Sequence, residues 1–193
     1  MTIREKSFIY HLTSFHNIAS ILQSGLQPRS ALQGAEFRDV ADANIIEGRR
    51  GNALEDFVPF HWFARNPFDG RVQLDRPDEH FLLIAVYRRH AQAQDWRVIP
   101  RHPLADGQFE LLGYDAGFAA IDWNLMEQRD YTNAACRHVC MAECLSPIAV
   151  PPSDFAKIYT PSDEIKRDVE GIARVSGNAR LWIEAAPHMF SPR

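Results

Sequence analysis

The sequence predicts a mixed α+β fold, and three observations carry that expectation. Strand-like and helix-like stretches do not alternate regularly enough for a doubly wound α/β sheet. Neither Gly-x-Gly-x-x-Gly nor Gly-x-x-x-x-Gly-Lys-Ser/Thr occurs, so the two common phosphate-cradling turns of such sheets are missing. The length, 193 residues and 22.0 kDa, suits one domain with a real core better than two, so a single unit over residues 1–193 is expected.

The elements follow in chain order. Ser7 to Thr13 is rich in aromatic and β-branched residues and reads as a strand. Ser14 can cap a short helix whose apolar residues, Ile18, Ile21 and Leu22, have helical spacing and which Gly25 stops, placing His11 and Thr13 at a strand end. Residues 27–39 read as a loop, and a second helix is expected from Val40 to about Arg50, with its arginines at the C-terminal end that the helix dipole favours for cations. Phe57 to Phe63, apolar but for His61, predicts a buried strand, and Asn66-Pro67-Phe68-Asp69-Gly70 predicts a turn. Phe81 to Arg88 is the clearest strand, and Trp96 to Pro100 a shorter one.

Between Asp115 and about Gln128 the apolar residues fit either an amphipathic helix or a structured loop. Val139 to Leu145 alternates as a strand, with Val139, Met141, Glu143 and Leu145 on one face and Cys140, Ala142 and Cys144 on the other. An acid on such an apolar face needs a reason. Short strands are expected at 148–152 and 156–159, a helix capped by Ser162 to about Arg174, and an edge strand at 181–184. No internal repeat or low-complexity run appears.

Composition is that of an ordinary globular protein, 46% hydrophobic and 24% charged, and no window approaches the roughly 18 unbroken apolar residues of a membrane span. The first six residues, Met1 to Lys6, show neither an apolar run nor a small-residue cleavage site, so a cytoplasmic location and no membrane partner are expected. A net charge of -4 argues against nucleic-acid binding by overall attraction. It leaves room for a local basic groove, because Arg49, Arg50, Arg65, Arg71, Arg129 and Arg137 lie near the motif segments while acids gather toward the C-terminus. The cysteines, Cys136, Cys140 and Cys144, repeat every four residues but lack the second half of a zinc knuckle pair, so a buried small-residue face is expected and a metal is not.

The chemistry-bearing set is Glu143 late in the chain, an early arginine pair, and His11 on the first strand. An acid, an arginine and a strand-borne histidine suit a site that breaks a glycosidic bond to a cationic leaving group, and NAD contains such a bond. Plainer readings stand beside this one. Glu143 can be a salt-bridged surface acid, Arg49 and Arg50 an exposed helix end, and His11 and His61 satisfied half-buried histidines. Trp123 and Met126 can be core, and His102 before Pro103 can brace a turn.

The ordered segments resemble the DarT family of DNA ADP-ribosyltransferases. They are Tyr-His-Leu-Thr at 10–13 with Asn17, Arg49-Arg50 before Asp-Phe-Val-Pro-Phe, and Arg-x-Pro-Phe at 65–68. Ile-Asp-Trp-Asn-Leu-Met at 121–126 and Met-Ala-Glu-Cys-Leu at 141–145 complete the set. The resemblance runs from about Tyr10 to Val169. It implies an ADP-ribosyltransferase-like fold, two small mixed or antiparallel sheets with flanking helices around an NAD cleft, and no metal. It further implies an NAD-dependent transfer of ADP-ribose to a base in single-stranded DNA, by the toxin of a toxin-antitoxin pair with a cognate antitoxin as partner. RNA or protein as acceptor, or an inert nucleic-acid-binding module of the same fold, are the alternatives.

By the same resemblance Glu143 and Arg50 are the catalytic positions, and His11, Thr13, Asn17, Arg49 and His61 the NAD-binding ones. Arg65, Phe68, His102, Trp123, Met126 and Arg137 fall on the nucleic-acid side. The sequence departs from the better-known members at His61, where they have tyrosine, and at Asn66, where they have serine. Both thymine-modifying and guanine-modifying branches exist, so the departures leave the base open.

Overall fold

The computed structural model describes residues 1–32, 37–39, 54–102 and 109–191. The helix expected from Val40 to about Arg50 lies outside the described residues. Strand β1 spans Phe8–Ser14, and the Ser14 hydroxyl accepts the His16 N–H to open a short turn at Phe15–Asn17 before helix α1, Ile18–Ser24. Gly25 ends α1 at φ +81, where an added Cβ would sit 2.6 Å from the Val150 carbonyl oxygen. The expected 27–39 loop contains one short helical turn at Arg29–Leu32.

Strand β2 is Val58–His61. The turn expected at 66–70 is instead the start of helix α2, Pro67–Asp75, with the Asn66 side chain accepting the Asp69 N–H and proline at the first helical position. A capping residue followed by proline is the signature of a helix start as much as of a turn. Strand β3 is Phe81–Tyr87, buried on both faces through Val86, as a continuous apolar run requires. Helix α3, Arg88–Ala93, follows it and leads to β4, Arg97–Ile99.

The ambiguous 115–128 stretch is two helices, α4 at Tyr114–Ala120 and α5 at Trp123–Gln128, parted by extended Ile121 and restarted by the Asp122 cap. The single strand expected over 139–145 is corrected as well. Helix α6, Ala134–Val139, opens on the Asn133 cap, and strand β5 begins only at Glu143 and ends at Ser146. The four-residue cysteine repeat thus crosses from helix to strand, with all three thiols buried. Of the strand expected at 148–152, Val150 alone pairs, in an isolated bridge to Leu26. Strand β6, Phe155–Thr160, helix α7, Asp163–Val175 capped by Ser162, and edge strand β7, Ile183–Ala185, complete the order close to expectation.

The strands make one sheet in the order β4-β5-β2-β1-β3-β6-β7, not two, and all neighbours are antiparallel except β6 and β7. The expectation of two sheets fails at a seam. β1 pairs with β3 along its whole length, from Phe8↔Tyr87 to Ser14↔Phe81, but with β2 only at Tyr10↔His61. Pro59, with no N–H to donate, sits where the next rungs would form, and its carbonyl accepts the His11 Nδ1–H at 2.8 Å. One rung and one side-chain strut therefore join two half-sheets that elsewhere pair in full.

Helices α1, α4, α5, α6 and α7 contribute to a large core on one face, around Ile9, Phe60, Trp62, Ile84, Val98 and Cys144. The other face carries two smaller clusters. Tyr10, Leu12, Leu83 and Tyr159 pack under Val72 of α2 and under Phe190, while Leu54 packs with Ile99 and Leu145 at the far end. The two halves are also tied together by buried Arg88. Its guanidinium donates to the carbonyls of Arg4, Phe8 and Trp62 and lies 5.0 and 5.7 Å from the ring centres of Trp62 and Trp123.

Candidate active site

Glu143 opens β5 as the strand leaves the α6 turn, and it is held on both sides, opposite His61 of β2 and opposite Ile99 of β4. His61 is in turn opposite Tyr10 of β1. Directly opposed residues of antiparallel strands share a face, so Ile99, Glu143, His61 and Tyr10 form one row. Glu143 and His61 are only 7% and 6% exposed, which puts an ionisable pair in a poorly screened setting. A carboxylate held between two strands is placed more rigidly than one on a loop.

The His61 Nδ1 faces the Ala142 carbonyl at 3.4 Å, and its ring lies 5.4 Å from that of Phe68 at 33°. Tyr10 closes the other side of the row, its phenol pushed up to about 12 by burial and by Tyr159, so it stays neutral in the physiological range. His11 and Thr13 alternate with Tyr10 and Leu12 and so leave β1 on the opposite side from Glu143. They stand where β1 and β2 part. The His11 ring is 5.7 Å from Phe60, and because a carbonyl only accepts, its contact with Pro59 fixes the proton on Nδ1.

Asn17 is buried and its amide is fully engaged. It donates to the Thr13 hydroxyl at 3.3 Å and to the Arg38 carbonyl at 2.9 Å, and accepts the Arg38 N–H at 3.0 Å. It therefore staples residues 37–39 to the end of β1. Arg49 and Arg50 lie outside the described residues.

On the expected nucleic-acid side, the structure gathers some residues and separates others. Arg65 is exposed at φ 60 on the turn into α2, beside half-buried Phe68. Its carbonyl accepts the Tyr131 hydroxyl at 3.1 Å, and exposed Arg137 lies 3.5 Å from the Tyr131 carbonyl. The His102 N–H bonds the His138 carbonyl at 2.8 Å, with the two rings 6.2 Å apart. Arg65, Arg137 and His102 are thus linked along one rim through His138 and through Tyr131, which carried no signal in the sequence. Trp123 and Met126 are elsewhere. Trp123 is buried among Trp62, Phe118 and Arg88 with its indole N–H on the Phe118 carbonyl, and Met126 is fully buried, so both belong to the large core.

Asp69 was also missed. It lies at the third position of α2, fully buried, and burial pushes its carboxyl up to about 7 despite partial relief from the Asn66 amide and the Arg65 backbone. Neither of those groups reaches hydrogen-bond geometry with the carboxylate oxygens. A contact outside bonding geometry compensates little of the desolvation, so burial prevails. Asn66 itself is spent on the Phe63 carbonyl and the Asp69 N–H. Among the described residues no group of histidine, cysteine or acidic side chains is arranged to hold a metal ion.

Three comparisons bear on this geometry. The sequence model of a family described as ssDNA thymidine ADP-ribosyltransferase, DarT, matches residues 10–191. Among solved structures, the chain is similar to a Thermus sp. 2.9 DarT in complex with ADP-ribosylated ssDNA, at a TM-score of 0.83 and 20% identity over 99% of each chain. The same Thermus protein in complex with NAD+ aligns at a TM-score of 0.77 and 17% identity, over 97% of this chain and 98% of that one. A Thermosipho africanus DarTG in complex with ADP-ribose aligns at a TM-score of 0.77 and 20% identity, over 96% of this chain and 51% of that one. No curated protein matches the chain at significance.

Proposed function

Since the chain belongs to the DarT family of ssDNA thymidine ADP-ribosyltransferases, we propose that it cleaves NAD and transfers ADP-ribose to a thymine base of single-stranded DNA, with Glu143 as the catalytic carboxylate. The observation that carries this reading is the placement of Glu143, buried in a row of strand residues and fixed between β2 and β4 beside the seam of the sheet.

The bond between the ribose C1′ and nicotinamide breaks with its electron pair leaving on the nicotinamide nitrogen. Positive charge develops on the sugar, and a carboxylate held against the ribose lowers that barrier. A base nitrogen then forms the new bond to C1′, and its proton is released to solvent or to a side chain. His11, Thr13, His61 and Arg49 are the candidate NAD contacts, while Asn17 acts by fixing the strand end on which Thr13 sits. Arg50 is the second catalytic group. It precedes Leu54 by four positions, and Leu54 packs with Ile99 and Leu145 on the Glu143 face.

The rim of Arg65, Arg137 and His102 serves the phosphodiester backbone, and Phe68 offers a ring on which an unpaired base can stack. Trp123 and Met126 support this surface only from within the core. The whole of residues 1–193 then acts as one ADP-ribosyltransferase domain. The DarTG relative supports a toxin-antitoxin setting with a cognate antitoxin, and the substrates NAD and DNA fit action in the cytoplasm.

Labelled NAD and single-stranded oligonucleotides with and without thymine test the proposal. Transfer should require thymine, and Glu143→Gln should lower it about 100- to 1000-fold, the usual cost of one preorganised electrostatic group. Mass spectrometry of the product should place ADP-ribose on the base. Label appearing only on RNA or protein, or none from a folded wild type, rejects the reading.

A further inference from the structure

We propose that His61 is a positioning residue for Glu143, and that protonation of its imidazole switches the transfer reaction off on the acid side. The inference rests on the reading of Glu143 given above and goes beyond it.

His61 and Glu143 are register partners on adjacent antiparallel strands. Side chains so placed have Cβ atoms about 4.5 to 5.5 Å apart. The imidazole is fixed in that position, with the Ala142 carbonyl 3.4 Å from Nδ1 and the Phe68 ring over one face. Both residues are more than nine-tenths buried, so a charge on one is felt strongly by the other.

The physical consequence depends on the proton. A neutral imidazole leaves the Glu143 carboxylate its full negative charge toward the sugar. An imidazolium beside it draws the carboxylate into an ion pair and adds a positive charge close to the place where positive charge must develop. Both effects raise the barrier to leaving-group departure. A tyrosine in this place would carry no positive charge in either protonation state.

The groups that face His61 define the controls. Glu143 on β5 is the partner, Tyr10 on β1 is a phenol that stays neutral, and α2 brings Phe68, which does not titrate. Asp69, the next residue of α2, is buried and titrates near neutrality, so it must be tested separately. His11 lies on the other side of β1, with its Nδ1–H on Pro59, and Arg50 of the proposed site keeps its charge throughout.

The test is the rate of transfer from NAD to a thymine oligonucleotide between pH 5 and 9, each profile scaled to its own plateau. Wild type should lose rate on the acid side in a single limb, set by ionisation of the imidazole. In His61→Tyr and His61→Gln the acid limb should move down by a pH unit or more, while Asp69→Asn keeps the wild-type limb. A limb unchanged in both His61 variants, or one that moves with Asp69→Asn instead, overturns the proposal. The second measurement needs neither turnover nor a His61 variant. Proton NMR of the imidazole C–H in the wild type should show a midpoint that falls when Glu143 is changed to Gln, and an unchanged midpoint overturns the pairing. A folded wild type that transfers nothing defeats the reading of the site, and the NMR comparison still decides the pair.

Discussion

Burial alone makes the Asp69 carboxyl titrate near pH 7, and this has a definite sign for stability. An acid whose folded value lies above its unfolded value holds its proton more tightly in the native state, so stability falls as pH rises from about 4 through about 7 and is level beyond. Between pH 5 and 8 this group should cost wild type roughly 2 to 3 kcal/mol. Denaturant melts of Asp69→Asn at those two pH values should show a smaller difference than wild type by about that amount, and an unchanged difference would show that the carboxyl is not buried as described. Arg88 is the converse. Burial lowers its guanidinium to about 10, yet three carbonyls and two indole faces hold it, and it remains charged in the physiological range. The residue-level features best read from sequence were those with a local partner. Arg88 was not, because its partners, Arg4, Phe8 and Trp62, come from segments far along the chain, and the depth to which Asp69 is buried is not written in its neighbours.

Helix α2 shows what the element scale adds. The resemblance implies serine where this chain has Asn66, and the cap makes that exchange a conservative one, since asparagine and serine are both good helix caps. Asn66→Ser should therefore keep thermal stability within a few tenths of a kcal/mol, and Asn66→Ala should lose about 1 kcal/mol. A loss of the same size in both would show that the asparagine amide on Phe63, not the cap, is what matters. The strands and the caps at Ser14 and Ser162 were legible because alternation and capping are local. The 139–145 stretch was misread because a helix with small residues four apart and a strand with the same residues present the same apolar face. Only the Asn133 cap and the pairing of β5 with two strands decide between them. The Glu143 side of that strand nevertheless came out right, since alternation with Cys144 survives the shorter boundary.

For the whole molecule, a charge of -4 repels a polyanion, so any grip on DNA is local. The rim of Arg65, Arg137 and His102 holds two exposed arginines, and Arg137→Ala should weaken binding of an oligonucleotide across all sequences and reduce the salt slope by about one. Binding measured from 50 to 300 mM salt checks this, and a slope equal to wild type would remove Arg137 from the contact. No helix among the described residues is long and apolar enough to cross a membrane. The order of motifs told the family, but not that Trp123 and Met126 lie inside the core, because aromatic and sulfur side chains at helical spacing look alike whether they face a ligand or a neighbouring helix.

A break in the middle of a sheet exposes two backbone edges that a foreign strand could zip onto, which is the ordinary route to aggregation. Here the break defends itself. Pro59 supplies no donor, and His11 has already taken the carbonyl that an intruding chain would seek. The sheet can thus stay parted at this point without offering the gap to other copies of the chain.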